Sequence, residues 1–261
     1  MKYGCCVGFE HPEYIKLLAE SGYDYFEANF QRISKCTDEE FAALKDTVKE
    51  YGIKCEAANC FLPGEYKLLS EDMDLSPVIE LIENGMRKGS EVGLETVVFG
   101  SGGARSLVVG VSFADGIKKL AAFLGDIVSP IAARYGITVA TEPLCRDECN
   151  MINTVSEGAM LAVMSGKDNI KTIGDIYHMK KAGDTPDTIR LLGSSVCHGH
   201  ISCPFPKGDM KRVYMKSADE YDYRSFIDAL EAVECKRCSI EASTKDFMTD
   251  AAEAIKVLKM M

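Results

Sequence analysis

The sequence predicts an α/β protein closed as a single (β/α)8 TIM barrel over residues 1–261. Three observations carry this expectation. Eight short strand-like runs alternate with helical segments, no Pro/Gly/Ser-rich linker interrupts them, and 261 residues suit one barrel of about 250. Strict alternation of strands and helices implies a parallel sheet, and eight units imply closure. An open doubly wound sheet is the structural alternative.

The elements follow in order. Residues 3–9 read as the first strand, and Ile15, Leu17 and Leu18 mark one side of a helix that Gly22 stops. Tyr23-Asp-Tyr-Phe-Glu27-Ala-Asn is the second strand, after which Thr37-Asp-Glu-Glu opens a helix as a capping box that ends at Gly52. Ile53-Lys-Cys-Glu-Ala-Ala-Asn is the third strand. A loop from Phe61 leads to a helix over 77–92, then to the fourth strand, Glu95-Thr-Val-Val-Phe. The glycine-rich turn behind it, Gly100-Ser-Gly-Gly-Ala-Arg105, lacks the Gly-Lys-Ser/Thr ending of a phosphate loop and the spacing of a dinucleotide fingerprint. It reads as a tight strand-to-helix turn.

A long helix over 113–135 leads to the fifth strand, which ends at Glu142 and opens into a polar loop containing Glu148. The sixth unit, Ile170-Lys-Thr-Ile-Gly-Asp175-Ile-Tyr-His178, is read as a strand carrying both Asp175 and His178. The seventh carries His198 and His200 and is followed by a long polar loop over 202–220, the best candidate for a mobile cover. The eighth strand ends at Glu241, and a last helix spans 246–258.

Composition narrows the function. A formal net charge of −10 argues against a nucleic-acid surface, which needs clustered Lys and Arg. No run approaches the roughly 18 apolar residues of a membrane span, and the start lacks a secretory signal. A cytoplasmic protein is expected. The eleven cysteines are scattered and odd in number, so reduced thiols are expected, and Cys235-Lys-Arg-Cys238 has no second pair to complete a zinc site.

Four consecutive strands thus end in a carboxylate or an imidazole. In a parallel barrel all carboxyl ends open on one face, so Glu142, Asp175, His200 and Glu241 are expected to converge. Singly, each has a plainer reading: Asp175 as a helix cap, Glu241 paired with Lys245, His198 as a core histidine. As a set they form a hard, oxygen-rich shell suited to Mn²⁺, with Mg²⁺ or Co²⁺ as alternatives.

This pattern resembles the xylose-isomerase-like TIM barrel superfamily, most closely its ketose 3-epimerase branch. The resemblance covers essentially the whole chain, with the specific motifs in the second half. It implies that Glu142, Asp175, His200 and Glu241 bind the metal, that Glu142 and Glu241 also serve as acid and base, and that Glu148 and His178 contact substrate. Those epimerases carry an arginine about six residues beyond the metal histidine. Here Pro206 stands there with Lys207 next, which makes Lys207 a candidate contact. Arg105, in a turn similar to those of related sugar-phosphate isomerases, is a further one. Relatives commonly form dimers or tetramers, so a homo-oligomer is a further expectation.

The resemblance implies a divalent-metal sugar epimerase or isomerase working through an enediolate. The alternative on the same scaffold is a lyase: a keto-inositol or dehydroshikimate dehydratase, or a carbon-glycoside cleaving enzyme. Two other readings have less support. The superfamily's apurinic endonucleases need many histidines, and this chain has four. A non-catalytic sugar-binding barrel has no use for two opposed glutamates.

Overall fold

The computed structural model describes residues 1–261 and shows eight parallel strands closed in sequence order, β1 to β8, with β1 also paired to β8. The strands are β1 (Lys2–Cys6), β2 (Tyr25–Asn29), β3 (Lys54–Asn59), β4 (Thr96–Phe99), β5 (Thr138–Thr141), β6 (Ile170–Asp175), β7 (Val196–Ile201) and β8 (Arg237–Ile240). The helices are α1 (Pro12–Ser21), α2 (Phe30–Lys35), α3 (Asp38–Tyr51), α4 (Ser76–Glu91), α5 (Gly102–Arg105), α6 (Phe113–Ala122), α7 (Ser129–Ala133), α8 (Val155–Ser165), α9 (Ile176–Ala182), α10 (Pro186–Leu192), α11 (Tyr223–Ala232) and α12 (Phe247–Met260). The predicted (β/α)8 barrel is therefore present, and the open sheet is excluded.

Local chemistry explains most boundaries. Thr37 and Thr154 form the capping boxes of α3 and α8 with Glu40 and Glu157. The helix expected over 113–135 is interrupted by a π-helical stretch, Phe123–Val128, which joins α6 to α7. Two residues account for the break: Pro130 has no N–H for the ladder, and Gly125 packs so near the Ser165 carbonyl that a Cβ would lie 2.5 Å from it. No helix is long and apolar enough to cross a membrane.

The main apolar core lies between strands and helices, with Phe26, Val97, Phe99, Val139 and Ile240 meeting Ile15, Leu120, Phe226 and Ile255. Val98, Ala140 and Ile173 form a separate small cluster on the opposite strand faces, toward the barrel axis. Near the amino ends of the strands the polar side chains pair off: Arg237 donates to Glu56 at 2.6 Å, and Lys2 reaches the same carboxylate at 2.6 Å. All eleven cysteines are free, and Cys235 and Cys238 are buried.

Candidate metal and active site

The carboxyl ends of β5 to β8 bring the four expected side chains together. Asp175 and His200 are direct partners in the β6–β7 ladder. Glu142 and Glu241 each stand one residue beyond their strands, where their N–H groups still donate to Phe99 and Ile201 at 3.1 Å. One ligand atom from each of the four lies within 4.8 Å of the others. His200 Nδ1 is 3.1 Å from Glu142 Oε1, 3.0 Å from Glu241 Oε2 and 3.6 Å from Asp175 Oδ2.

The plainer reading of Asp175 holds alongside the ligand geometry. Its Oδ1 accepts the His178 N–H at 2.9 Å and caps α9, while Oδ2 faces the cluster. His178 consequently sits in the first turn of α9, a correction to its expected place on the strand. Its Nδ1 accepts the Cys145 N–H at 3.0 Å, so the proton resides on Nε2, which is buried without a partner. Glu148 lies at the rim, 2.8 Å from Lys211. Glu241 does not pair with Lys245, which reaches Asp209 instead.

Arginine enters from an unexpected position. Arg212, twelve residues beyond His200, donates from Nη1 to Asp175 Oδ2 at 2.8 Å and places Nη2 2.7 Å from Glu241 Oε2. Its guanidinium also lies 5.2 Å from the Tyr177 ring centroid. The loop expected as a mobile cover is stitched down here: Val213 pairs with Cys203 and Ser243, and Ser243 donates to the Arg212 carbonyl at 3.0 Å. Lys207 is exposed and pairs by its backbone with Met210 in the outer part of that loop. It lines a recess shared with Lys216, Glu220 and Asp250, away from the four-residue cluster.

Arg105 also departs from expectation. It is fully buried, and its guanidinium donates to three backbone carbonyls, Gly100 at 2.6 Å, Met151 at 2.5 Å and Glu142 at 2.7 Å. With all three guanidinium nitrogens donating to backbone and the side chain fully buried, it is not presented to substrate. It fixes the glycine-rich turn and the backbone of Glu142. A recess of about 330 Å³ lined by Cys145, Arg146, Asp147, Asn153, Thr154 and Lys181 holds none of the four cluster residues. Donor geometry, not cavity size, identifies the chemistry.

The electrostatics separate the two glutamates. Burial pushes the Glu142 carboxyl up, and the neighbouring Glu241 adds to the shift. Burial acts the same way on Glu241, but Arg212 and His200 outweigh it and hold that carboxyl below its ordinary value. Asp175 is held low in the same manner, with burial outweighed by Arg212 and His178. Burial alone would lower His200, yet Glu27 and Glu241 raise it well above the ordinary histidine value. The pocket thus demands positive charge.

A divalent metal fits this donor set. Three carboxylates and an imidazole suit a hard or borderline cation. Glu241 Oε2 is buried with no aligned hydrogen bond despite its close cations, leaving a lone pair free for coordination. Gly100 makes room for the arrangement, since a Cβ there would lie within 2.3 Å of Glu142 Oε2. Gly100→Ala is therefore expected to displace that carboxylate and weaken Mn²⁺ binding about tenfold or more, measured by calorimetric titration, with the circular dichroism of the fold unchanged.

Sequence reasoning missed the function of two residues here. Arg212 gave no signal because its loop has no periodicity. Glu27 did give one: it is a carboxylate in the middle of an apolar strand, fully buried, and such a group needs partners.

Comparison with known proteins agrees with this geometry. The chain is 26% identical over 215 residues to the D-psicose 3-epimerase of Agrobacterium fabrum, covering 77% of this chain and 72% of that protein. It is 25% identical over 232 residues to the 3-dehydro-D-guloside 4-epimerase of Escherichia coli, covering 84% and 82%. The crystal structure of a D-allulose 3-epimerase from Methylomonas sp. superposes with a TM-score of 0.84 at 19% identity, over all of this chain and 97% of that one. A sequence profile described as Xylose isomerase-like TIM barrel matches residues 15–261, and this chain belongs to that family.

Proposed function

We infer that this protein is a divalent-metal-dependent sugar epimerase, which inverts a carbon adjacent to a ketone. The observation that carries the reading is the pair Glu142 and Glu241, brought from β5 and β8 to one cluster with Asp175 and His200 between them in chain order. The related 3-epimerase and 4-epimerase support it at the level of chemistry. A 2-ketose inverted at C3 and a 3-dehydro sugar inverted at C4 both lose and regain a proton beside the carbonyl.

Glu142, Asp175, His200 and Glu241 would hold the metal, for which Mn²⁺ is the first choice. Bound there, it would supply Lewis-acid stabilisation of the charge that develops on the carbonyl oxygen. The rest falls to side chains of this chain. Glu241, held ionised by Arg212 and His200, takes the proton from carbon. Glu142, brought to the same cluster from the end of β5, delivers one to the other face. In the reverse direction the roles exchange.

His178 donates from its free Nε2–H to a substrate oxygen, and Glu148 accepts from a hydroxyl at the rim. Arg212 is the cation for substrate oxygens that Lys207 was expected to supply. With a metal held at Asp175, the Nη1 donor that Arg212 gives to that carboxylate would be available to substrate, while Nη2 stays beside Glu241.

Incubation with 2-ketoses and 3-dehydroglycosides in heavy water tests the reading. One deuterium on the inverted carbon, with no change in carbon skeleton, is the expected product. Loss of water or a fragmented glycoside would make the protein a lyase, and deuterium at C1 or at an aldose C2 would make it an isomerase. Metal loading is tested separately by thermal unfolding. Mn²⁺ at a hundredfold excess over its Kd is expected to raise Tm by about 5–10 °C over the chelator-treated protein. An unmoved Tm would count against a metal at this site.

A further inference from the structure

We propose that Glu27 is the positioning residue that fixes His200 as a metal ligand through Nδ1, by holding its other ring nitrogen in the donor form. The proposal rests on the metal reading above and names the group that enforces it. Glu27 projects from β2, on the other side of the barrel from Glu142 and Asp175, and is fully buried along with both histidines of β7. Its two oxygens are divided between them. Oε1 lies 2.9 Å from His200 Nε2, and Oε2 lies 3.0 Å from His198 Nε2.

An ionised carboxylate can only accept, so both Nε2 atoms must donate to it. With its proton on Nε2, neutral His200 has a lone pair on Nδ1, and that atom points to the carboxylates of Glu142, Glu241 and Asp175. Facing three anions, that atom carries a proton when no metal is present, and a bound divalent ion would take the place of that proton while Nε2 keeps its own.

His198 serves the same arrangement from behind. It anchors the second oxygen of Glu27, and its Nε2 also lies 3.5 Å from Ser239 Oγ, which is 2.7 Å from the Tyr25 hydroxyl. A buried polar chain from β2, β7 and β8 thus sets the Glu27 rotamer, and Glu27 sets the His200 ring. His198 is a core histidine whose Nε2 partner is a carboxylate and not the backbone, while its buried Nδ1 has no hydrogen-bond partner.

Glu27→Gln tests this with little change in shape. Glutamine offers one acceptor oxygen, and its amide N–H₂ faces the second imidazole N–H. One histidine must then turn or move its proton. The expected result is a loss of about 10- to 100-fold in Mn²⁺ affinity by calorimetric titration, with the metal-free variant melting as a single transition. Unchanged affinity in the folded variant would overturn the proposal.

A second measurement needs no variant. In the Zn²⁺-loaded wild-type protein, nitrogen NMR of His200 is expected to show a protonated Nε2 and a coordinated Nδ1. A proton on Nδ1, or coordination through Nε2, would overturn the proposal even if Glu27→Gln failed to fold. The two readings fail differently. Wild-type protein that takes up no divalent ion removes the metal site itself, whereas equal uptake by wild type and Glu27→Gln removes only the role of Glu27.

Discussion

Glu241→Gln is expected to lower the rate of deuterium incorporation into substrate by about 10²–10⁴ while leaving the barrel folded. The amide matches the carboxylate in shape, and Asn59 Nδ2, which donates to Glu241 Oε1 at 3.1 Å, keeps an oxygen to bond. What disappears is the basic lone pair. Arg212 and His200 hold Glu241 ionised, so at neutral pH it is the member of the glutamate pair ready to accept a proton. The variant also loses one anionic metal ligand, so the comparison belongs at saturating Mn²⁺, with kcat read separately from KM. A large fall in kcat at full metal occupancy is the signature of a lost base. Unchanged kcat would remove Glu241 from the proton transfer.

Arg105→Met is expected to produce the largest stability loss of any single change around the site. Methionine approximates the aliphatic stem but offers no donors. The carbonyls of Gly100, Met151 and Glu142 would be left buried and unpaired. At about 1–3 kcal/mol for each orphaned acceptor the loss is roughly 3–6 kcal/mol, with collapse of the turn offsetting part of it. Since a domain of this size shifts its Tm by about 2–4 °C per kcal/mol, a fall of roughly 6–24 °C is expected in thermal unfolding. Were Arg105 instead a surface group that met substrate, Tm would hold and KM alone would rise.

These two residues illustrate what can be read along a chain. Glu241 is legible because it follows the strand-like run Cys238-Ser-Ile in the eighth repeat of the strand–helix pattern, where a carboxylate at the strand end stands out. Arg105 is equally conspicuous, beside a run of glycines, yet its direction is not encoded locally. The turn folds so that its guanidinium points inward to carbonyls from two later segments, Glu142 and Met151. Lys207 and Arg212 make the same point in reverse. Both are basic residues in one irregular loop, and spacing favours Lys207. The pairing of Val213 with Cys203 and Ser243 turns Arg212 inward instead.

The sequence by itself determined the barrel and the identity of its four convergent side chains, because short apolar strands alternating with helices dictate a parallel sheet and parallel strands share one carboxyl rim. Tertiary structure alone decided the rest: His178 on the first turn of α9, Arg212 across two carboxylates, Arg105 sealed beneath the turn, and Glu27 spanning both histidines. The physical reason is that strand ends are positioned by local pattern and ladder registry. The partner of a buried charge is set by packing between remote segments, from 37 residues apart for Arg212 and Asp175 to 173 for Glu27 and His200, which meet because neither can be left unpaired.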